Sequence, residues 1–258
     1  MRIFYDHQVF SLQNVGGVSR YYFELLRQFA SQEGVQQELF LGLHQTELPF
    51  QALASDSLRV VGCQSSLDPG GRRYVANEVL GNAYVVTRGK FDIYHATHHR
   101  YMPLVRARKM VITHCDCTHE KFPAEFRYLD RVLLAKRALF ARADAIICIS
   151  ESSRQDLLNF YNVDSAKTRV IHLGLTRLSR SPHDSDEIKR RVRRDYVLYV
   201  GSRAIYKNFR GFLQAFRDTQ LHEDFDLLVL GGGSFSAPDC ATNIVPRDYL
   251  TTRRLLVT

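Results

Sequence analysis

Short apolar runs alternate with longer stretches of helical periodicity, and this alternation limits the fold more than any other feature of the sequence. Strands are predicted at Arg2–Tyr5, Glu38–Leu43, Leu58–Val61, Asp92–His95, Lys109–Thr113, Ala145–Ile149 and Arg169–Leu173. Helices are predicted over Val18–Ala30, over Ala124–Ala143, and after Ser150 or Ser152, either of which can act as an N-cap. Apolar strands that alternate with helices predict an α/β fold whose parallel sheet is covered on both faces.

A polar segment interrupts this pattern after Gly174 and predicts a division of the chain. We expect a first domain over residues 1–175, a linker over 176–194 and a second domain over 195–258. The second domain contains two predicted strands, Tyr196–Val200 and Phe225–Leu230, with a helix near Asn208–Arg217 between them. These elements are too few for a doubly wound domain, so the second domain is expected to be incomplete.

Composition excludes several classes of protein. Of the 258 residues 45% are hydrophobic and 24% are charged, values that argue against collagen-like and disordered chains. The five cysteines are odd in number and unevenly spaced, which disfavours a disulfide framework and favours a reducing cytoplasm. No apolar run approaches the ~20 residues of a membrane helix, and the N-terminus lacks the pattern of a signal peptide. The sequence therefore predicts a cytoplasmic globular protein.

The net charge of +8 predicts an anionic partner: nucleic acid, anionic lipid or a phosphorylated small molecule. Residues 189–194 are rich in Arg and Lys, and the predicted helix Ala124–Ala143 interleaves basic and apolar side chains. The basic residues of that helix are Arg127, Arg131, Lys136, Arg137 and Arg142. Such a helix can be a solvated face or can lie on an anionic membrane. No recognition motif supports binding to nucleic acid.

Two glycine positions follow predicted strands and precede predicted helices. Gly16 and Gly17 would let a ligand approach the backbone at a helix N-terminus, which favours anions. Gly201 precedes Arg203 and Lys207. The planar guanidinium of Arg203 and the compact ammonium group of Lys207 are suited to binding a diphosphate. The alternatives are a plain tight turn and a solvated basic loop, since neither a dinucleotide fingerprint nor a Walker A sequence is present.

A third group of polar residues follows two predicted strand ends and should meet at one edge of the sheet. Its members are His95, His98, His99, His114, Cys115, Asp116, Cys117, His119 and Glu120. Histidine and aspartate at strand ends can orient hydroxyl groups or act as acid and base, which favours an active-site rim. The spacing matches no common zinc motif, so no metal is expected; satisfied core and surface residues are the other alternative.

These motifs, in this order, resemble the family 4 glycosyltransferases with the GT-B fold, and most of all bacterial mannosyltransferase-like members that build surface polysaccharide. The segments that carry the resemblance are residues 16–21, 113–123, 143–153, 170–174, 199–209 and 230–233. The resemblance implies two Rossmann-like domains across a cleft, the first for the acceptor and the second for the donor.

The resemblance also implies the reaction. Such enzymes transfer a sugar from a nucleotide-sugar to an acceptor hydroxyl with retention of configuration and without a metal. It implies GDP-mannose as co-substrate, with no other cofactor, and a lipid-linked or surface polysaccharide as acceptor. The charge of the chain and its basic helix lead us to expect a cytoplasmic protein, peripheral on the inner face of the membrane, with contact to an anionic surface through Ala124–Ala143.

Site residues follow from the matching positions and from their chemistry. The residues expected to bind the donor diphosphate are Gly16, Gly17, Gly201, Arg203 and Lys207. The residues expected to be catalytic are Asp116 and His114, and those expected on the acceptor side are His95, His98 and Glu120. Fixed cations beside the diphosphate would stabilise the charge that develops as the glycosidic bond breaks.

The sequence departs from the family pattern at two places. Cys115 stands where the family has His or Tyr directly before the acidic residue, and His114 lies one place earlier. After Ser236 the sequence no longer matches, although the family continues into a glycine-rich acidic motif that holds the donor sugar. A frameshift or early stop is the interpretation we favour. The alternatives are an active enzyme completed by a separate chain and a non-catalytic fragment that binds an anionic glycan or membrane surface.

Overall fold

A computed structural model describes residues 1–14, 16–67, 71–126, 129–175, 195–230 and 244–247. The chain divides into two compact units, Met1–Gly174 and Leu175–Thr258. The expected linker at 176–194 and the glycines at 231–233 lie outside the described residues, as does Arg127.

The first unit is built on a seven-stranded sheet with the order β3-β2-β1-β4-β5-β6-β7. Its strands are β1 (Arg2–Tyr5), β2 (Gln36–His44), β3 (Leu58–Gln64), β4 (Phe91–Ala96), β5 (Ala107–His114), β6 (Ala145–Cys148) and β7 (Thr168–Val170). Every neighbouring pair of these strands is parallel. The predicted α/β class is therefore confirmed. The strand order reverses between β1 and β4, and ligands of open α/β sheets bind at such a switch point, beyond the carboxyl ends of the strands.

Helices connect the strands of the first unit. They are α1 (Gln8–Leu12), α2 (Gly17–Ala30), α3 (Gly71–Val86), α4 (Thr118–Lys121), α5 (Leu129–Arg142) and α6 (Glu151–Phe160). Of the two candidate caps for α6, Ser150 is the one used: its side chain accepts from the Ser153 N–H at 3.0 Å in a capping box. Within the described ranges, no helix combines the length and apolar character needed to cross a bilayer.

The helix predicted over Ala124–Ala143 is wrong at its start. Pro123–Glu125 forms a 3₁₀ turn and Phe126 is extended, with φ −116° and ψ 122°; α5 begins at Leu129. A tertiary contact accounts for the break, because the Phe126 ring packs 4.2 Å from the ring of His119. The prediction also placed Lys136 on a basic outer face, whereas Lys136 is fully buried.

Helix α3 has no counterpart among the predicted elements because its pattern is inverted. The side chains that it buries include the polar Arg73 and Asn77, and those that it exposes include Val75 and Val79. Because Val85 is buried as well, apolar residues occur on both sides of the helix, and the periodicity that marks an amphipathic helix is weak. Helix α1, only five residues long, was missed for lack of length.

The hydrophobic core lies between the central strands and the helices that cover them. Phe4 of β1 and Tyr94 of β4 pack with Ile146 of β6 and with Phe140 of α5 in one cluster of buried residues. Because these are the apolar residues of the predicted strands, burial drives the arrangement that brings the strand ends together.

The second unit contains a three-stranded parallel sheet with the order β10-β9-β8. Its elements are β8 (Tyr196–Val200), a 3₁₀ turn (Ile205–Lys207), α7 (Phe209–Asp218), α8 (Leu221–Asp224), β9 (Asp226–Leu230) and β10 (Ile244–Arg247). Helix α7 packs Phe209, Leu213 and Phe216 against Leu227 and Val229. Strand β8 has the bounds that were predicted, and β9 begins one residue later than predicted.

Candidate functional site

The polar residues expected at one edge of the sheet lie at the carboxyl ends of two neighbouring strands, β4 and β5, and β1 lies beside β4. Tyr5 of β1 is in register with His95 of β4, and His95 is in register with Val111 of β5. The residues after these strands therefore meet at the strand-order reversal, where the sheet opens toward a ligand.

Asp6, which was not among the predicted site residues, anchors this edge. Its Oδ1 accepts from Thr97 Oγ1 at 2.5 Å and from Gln8 N at 3.1 Å, and its Oδ2 accepts from Tyr94 Oη at 2.5 Å. Because Asp6 is fully buried and both its oxygens are bonded, it ties β1 to α1 and β4 rather than contacting a ligand. An acidic residue directly after a strand is the signal that could have revealed it.

His95 lies beneath the edge and reaches it through two hydroxyl groups. Its Nε2 is 3.0 Å from Thr113 Oγ1, which lies 3.0 Å from Tyr21 Oη of α2. Burial lowers the pKa of His95 to about 3, so the imidazole is neutral near pH 7. Thr113 and Tyr21, which were not predicted site residues, connect this histidine to the helix that follows the glycine pair.

Gly16 and Gly17 form the N-terminus of α2. Gly16 is the N-cap residue, and its carbonyl accepts from the Ser19 hydroxyl at 2.9 Å and from Arg20 N at 3.1 Å. A Cβ atom on Gly17 would meet no atom within 4 Å, whereas one on Gly16 would collide with the side-chain amide of Gln13. The fold itself leaves space for a methyl group at Gly17, which is the arrangement expected where a ligand approaches the backbone.

Three of the predicted histidines stack together at the rim. The ring centroids of His98 and His99 are 3.9 Å apart, and those of His99 and His119 are 5.3 Å apart. Burial, reinforced by His119 and by the charges of Lys136 and Arg100, lowers the pKa of His98 to about 4. Burial lowers the pKa of His99 and His119 as well, and His119 Nδ1 is buried without a hydrogen-bond partner. The cluster is thus a group of neutral imidazoles.

Glu120, which was expected on the acceptor side, forms a buried ion pair with Lys136. Lys136 Nζ donates to both of its carboxylate oxygens, at 2.9 and 3.1 Å, and the hydroxyl of Tyr161 donates to Oε1. Burial alone would raise the pKa of Glu120, but the hydrogen bonds from Tyr161 and Lys136 outweigh it and hold the pKa below its usual value. The pair places a buried cation beneath the histidine rim.

Asp116 and His114 have different environments. Asp116 is exposed, and its Oδ1 accepts from Thr118 N at 2.9 Å. Neighbouring protein atoms partly desolvate the carboxylate, which opposes ionisation, but the hydrogen bonds from Thr118 and the charge of Lys136 outweigh this and lower the pKa of Asp116. His114 is buried instead: its ring packs 5.4 Å from Phe140, and its Nε2 lies 3.5 Å from Cys117 Sγ. Burial lowers the pKa of His114 to about 4.

The cysteines of this region carry no charge at neutral pH. Burial raises the pKa of Cys115 to about 11 and that of Cys117 to about 12. Across the part of the chain that the structure describes, no group of three or more His, Cys, Asp or Glu side chains is arranged to hold a metal ion.

The second unit places the predicted diphosphate residues at the carboxyl end of β8. Gly201 N donates to Leu230 O at 2.9 Å, and its φ of +142° is one that side-chain-bearing residues rarely adopt. Arg203 Cζ lies 6.0 Å from the ring centroid of Phe209, and Lys207 Nζ lies 5.4 Å from that of Tyr206. Lys207 is exposed directly before the start of α7, where the helix dipole adds to its attraction for anions.

Two of the solved structures that the chain matches have the same fold. The apo form of a lipopolysaccharide outer core galactosyltransferase, WaaB, superimposes with a TM-score of 0.53 at 11% identity, over 98% of this chain and 70% of that one. A glycosyltransferase from Rickettsia africae ESF-5 has a TM-score of 0.53 at 14% identity, over 89% of this chain and 60% of its own. At these identities the likeness shows the fold alone, which is the expected α/β fold of the GT-B class.

No curated protein sequence matches the chain significantly. The sequence model described as Glycosyltransferase Family 4 does match, over residues 15–177. That match begins just before Gly16, runs through the histidine rim and continues past α6, so it covers most of the first unit and more than half of the chain. The chain therefore belongs to Glycosyltransferase Family 4.

Proposed function

We propose that the chain takes part in polysaccharide synthesis by retaining transfer of a sugar from a nucleotide-sugar to a glycan or lipid-linked acceptor, with GDP-mannose as donor. The observation that carries the proposal is the polar edge of the first unit. There the glycine N-terminus of α2, the exposed carboxylate of Asp116 and the neutral histidines follow neighbouring strand ends. Family membership supplies the reaction class, and this edge offers groups that suit it.

We assign acceptor binding to the first unit. The ionised carboxylate of Asp116 would accept a hydrogen bond from the attacking hydroxyl and favour its deprotonation as the oxygen bonds to the anomeric carbon. The neutral imidazoles of His98 and His119 would orient neighbouring hydroxyl groups. His95 and His114 are buried, so we assign them positioning roles. Glu120 acts by holding Lys136 in place.

We assign the donor diphosphate to Gly201, Arg203 and Lys207 of the second unit, and we expect Gly16 and Gly17 of the first unit to meet an anionic group of a bound substrate. As the bond between the anomeric carbon and the diphosphate oxygen breaks, negative charge develops on the leaving group. Cations that the fold already holds in position stabilise that charge without a rearrangement of the site during the reaction. The guanidinium of Arg203, held against Phe209, can form a bidentate contact, whereas Lys207 supplies a mobile point charge. No metal enters this scheme, and the nucleotide-sugar is a co-substrate.

The test is donor binding by the full chain, measured by calorimetry with GDP-mannose, UDP-galactose and UDP-glucose in parallel. We expect GDP-mannose to bind best and Lys207→Gln to weaken it about tenfold, the scale of one charge-assisted contact. Arg210→Gln is the matched control, because Arg210 is an exposed cation of the same unit on α7. Equal binding by both variants would remove the diphosphate assignment, and preference for a UDP-sugar would replace the donor.

Transfer itself is measured with radiolabelled donor and membrane lipid extracts as the source of acceptor. Asp116→Asn is expected to reduce incorporation by at least about a hundredfold, since general base groups contribute that much or more. Unchanged incorporation by this variant would exclude Asp116 as the group that activates the hydroxyl.

A non-catalytic role on an anionic glycan or membrane surface is the second candidate. The observation in its favour is the exposed basic face of α5, which carries Arg131, Arg137 and Arg142 beside the exposed Leu134. Retention of the chain on a sulfated-glycan column, lost on Arg137→Gln and without any nucleotide-sugar binding, would favour this candidate over sugar transfer.

A further inference from the structure

The amino-terminal edge of the seven-stranded sheet carries a pocket of about 340 Å³, defined here as the amino-edge pocket. It lies at the starts of β1, β2 and β4 and beside the first residues of β3, whereas the candidate functional site lies at the carboxyl ends of the strands. The described residues that line it include none of those assigned above to the donor or the acceptor. Small-molecule sites span roughly 300–1,000 Å³, so this pocket suits a ligand no larger than a single sugar ring.

Glu38, the buried acid of the amino-edge pocket, already has a cation of its own. Its Oε1 accepts from Tyr84 Oη at 2.7 Å and from Arg88 Nε at 2.8 Å, and its Oε2 accepts from Arg88 Nη2 at 3.1 Å. This bidentate contact with Arg88 neutralises the carboxylate. Arg2 Nη2 lies 3.9 Å from Glu38 Oε2, which is too far for a hydrogen bond.

The guanidinium of Arg59 has no such partner. It forms neither a hydrogen bond nor an ion pair in the part of the chain that the structure describes. Arg59 of β3 is exposed and is in register with Glu38 of β2, so the two side chains leave the same face of the sheet. Burial raises the pKa of the neighbouring Tyr84, and the charge of Arg59 is among those that oppose the rise. The free guanidinium is therefore close to the paired one of Arg88.

Arg2 is held at the pocket by the backbone and by an aromatic ring. Its Nη1 donates to Lys90 O and its Nη2 to Arg88 O, both at 3.2 Å. Its Cζ lies 4.8 Å from the ring centroid of Phe91. A guanidinium that is fixed before a ligand arrives loses little freedom when the ligand binds, which favours affinity.

The charge of the amino-edge pocket suits a monoanion. Among the described residues that line it are three arginines and two acids, Glu38 and Asp56, which leaves one positive charge in excess. A carboxylate carries one negative charge and matches the planar fork of arginine. A phosphate monoester carries about −1.5 to −2 and would exceed this balance beside the exposed Asp56. Oxygen atoms of Asp56 and of the exposed Ser55 and Gln36 can accept hydrogen bonds from hydroxyl groups of a ligand.

We propose that the amino-edge pocket binds a small hydroxylated monocarboxylate of the sugar-acid class. Arg59 and Arg2 hold the carboxylate, and Ser55 and Asp56 accept hydrogen bonds from the hydroxyl groups. A purely structural role accounts for Arg88 and Arg2, because each is bound by partners within the fold, but it does not account for Arg59. The inference does not depend on the proposed sugar transfer, since the pocket and the candidate functional site lie at opposite edges of the sheet.

Calorimetric titration of the full chain at constant ionic strength tests the proposal, with glucuronate and glucose as probes. The two sugars differ only at C6, where glucuronate has the carboxylate. Glucuronate should bind saturably and glucose should not bind. Arg59→Gln should weaken glucuronate binding about tenfold, the scale of one charge-assisted contact. Arg59→Lys should restore it only in part, because lysine keeps the charge without the planar fork.

Glucose 6-phosphate tests the choice of a carboxylate over a phosphate. It should bind more weakly than glucuronate, because its second negative charge is not balanced in the pocket. Asp56→Asn removes the exposed acid, so it should strengthen binding of glucose 6-phosphate more than binding of glucuronate.

Arg106→Gln is the matched control. Arg106 is an exposed cation directly before β5, at the same edge of the sheet, and it does not line the amino-edge pocket. The variant should bind glucuronate as the unmodified chain does. Because Arg59 is exposed, thermal melting should show the same midpoint for Arg59→Gln, which separates lost binding from lost folding. Lys207→Gln tests the donor site and should leave glucuronate binding unchanged, so failure of either proposal is distinguishable from failure of the other.

Any of three results would overturn the proposal. The first is that glucuronate does not bind, or binds no better than glucose. The second is that Arg59→Gln binds glucuronate as well as Arg106→Gln does. The third is that glucose 6-phosphate binds better than glucuronate to the unmodified chain and that Lys207→Gln abolishes the binding of both, which would place these ligands in the donor site.

Discussion

A substitution at Gly17 tests the requirements of the fold separately from those of a bound ligand. A Cβ atom there would meet nothing within 4 Å, and the residue opens a 14-residue helix. We therefore expect Gly17→Ala to leave the thermal midpoint unchanged or slightly raised, because alanine favours the helix. If a phosphate approaches this backbone, the same methyl group should weaken nucleotide-sugar binding about tenfold. Thermal melting and calorimetry on one preparation measure both quantities.

Gly42 is the matched control for that substitution. Its φ is +67°, at the irregularity between β2 and β3, and a Cβ atom would lie 2.5 Å from Asn77 Oδ1. Gly42→Ala should therefore lower the free energy of unfolding by more than about 1 kcal/mol. Unaltered donor binding in Gly17→Ala would remove the ligand role of the glycine pair, whatever Gly42→Ala does.

The hydroxyl of Thr113 links His95 Nε2 to the Tyr21 hydroxyl. Thr113→Val keeps the shape of the side chain but leaves the buried imidazole without this partner, which costs about 1–3 kcal/mol. Thr113→Ser should restore stability because it retains the hydroxyl. Urea unfolding followed by circular dichroism measures the difference, and equal stability of the two variants would show that the hydroxyl contributes nothing.

At the scale of elements, one buried ion pair joins α5 to α4 and, through Tyr161, to the end of α6. Lys136→Met would leave the Glu120 carboxylate buried without its cation, so we expect a loss of about 3–5 kcal/mol in the free energy of unfolding. Lys136→Met with Glu120→Gln should recover much of that loss, because no charge is then stranded. Lys109→Met, which breaks an exposed pair with Asp144, should cost about 1 kcal/mol or less. Equal losses at the two lysines would contradict the buried pairing.

Strands were predicted from the sequence more reliably than helices, for a physical reason. Uninterrupted apolar runs such as Ala145–Ile149 have few alternatives to a buried parallel strand, and β1 and β8 have their predicted bounds. The bounds of the helices depend on tertiary contacts. The Phe126 ring packs on His119, and α5 therefore begins at Leu129 rather than at Ala124 as predicted. Helix α3 escaped prediction because its apolar residues lie on both its buried and its exposed sides.

The site was predictable to the extent that chain order places residues at strand ends. The meeting of His98, His99 and His119 at one edge follows from the strands before them. The order of the strands does not show which groups are buried, because burial depends on packing between elements. Lys136 contacts Glu120 across sixteen positions of the sequence, and Thr97 contacts Asp6 across 91. The three-member contact among His95, Thr113 and Tyr21 likewise joins two strands and a helix.

For the whole molecule, the buried histidines set the dependence of stability on pH. Burial lowers the pKa of His95 to about 3 and that of His98 and His114 to about 4, from 6.5 in an unfolded chain. As the pH falls below about 6.5, the unfolded chain therefore takes up protons that the folded chain does not. The contribution of these histidines to the free energy of unfolding is complete above that pH. It decreases as the pH falls toward about 4. For each histidine that stays neutral in the fold, the decrease is at most about 1.4 kcal/mol per pH unit.

Urea unfolding across this range measures that slope. His95→Gln should flatten it, whereas His172→Gln, at an exposed position, should leave it unchanged. The lowered pKa values of Glu120 and Asp116 act in a different window, because a carboxylate stabilised in the fold loses its contribution only as the pH falls below its own usual value near 4. A slope between pH 6.5 and 5 therefore reports the histidines. A flat profile there would contradict the burial of these imidazoles.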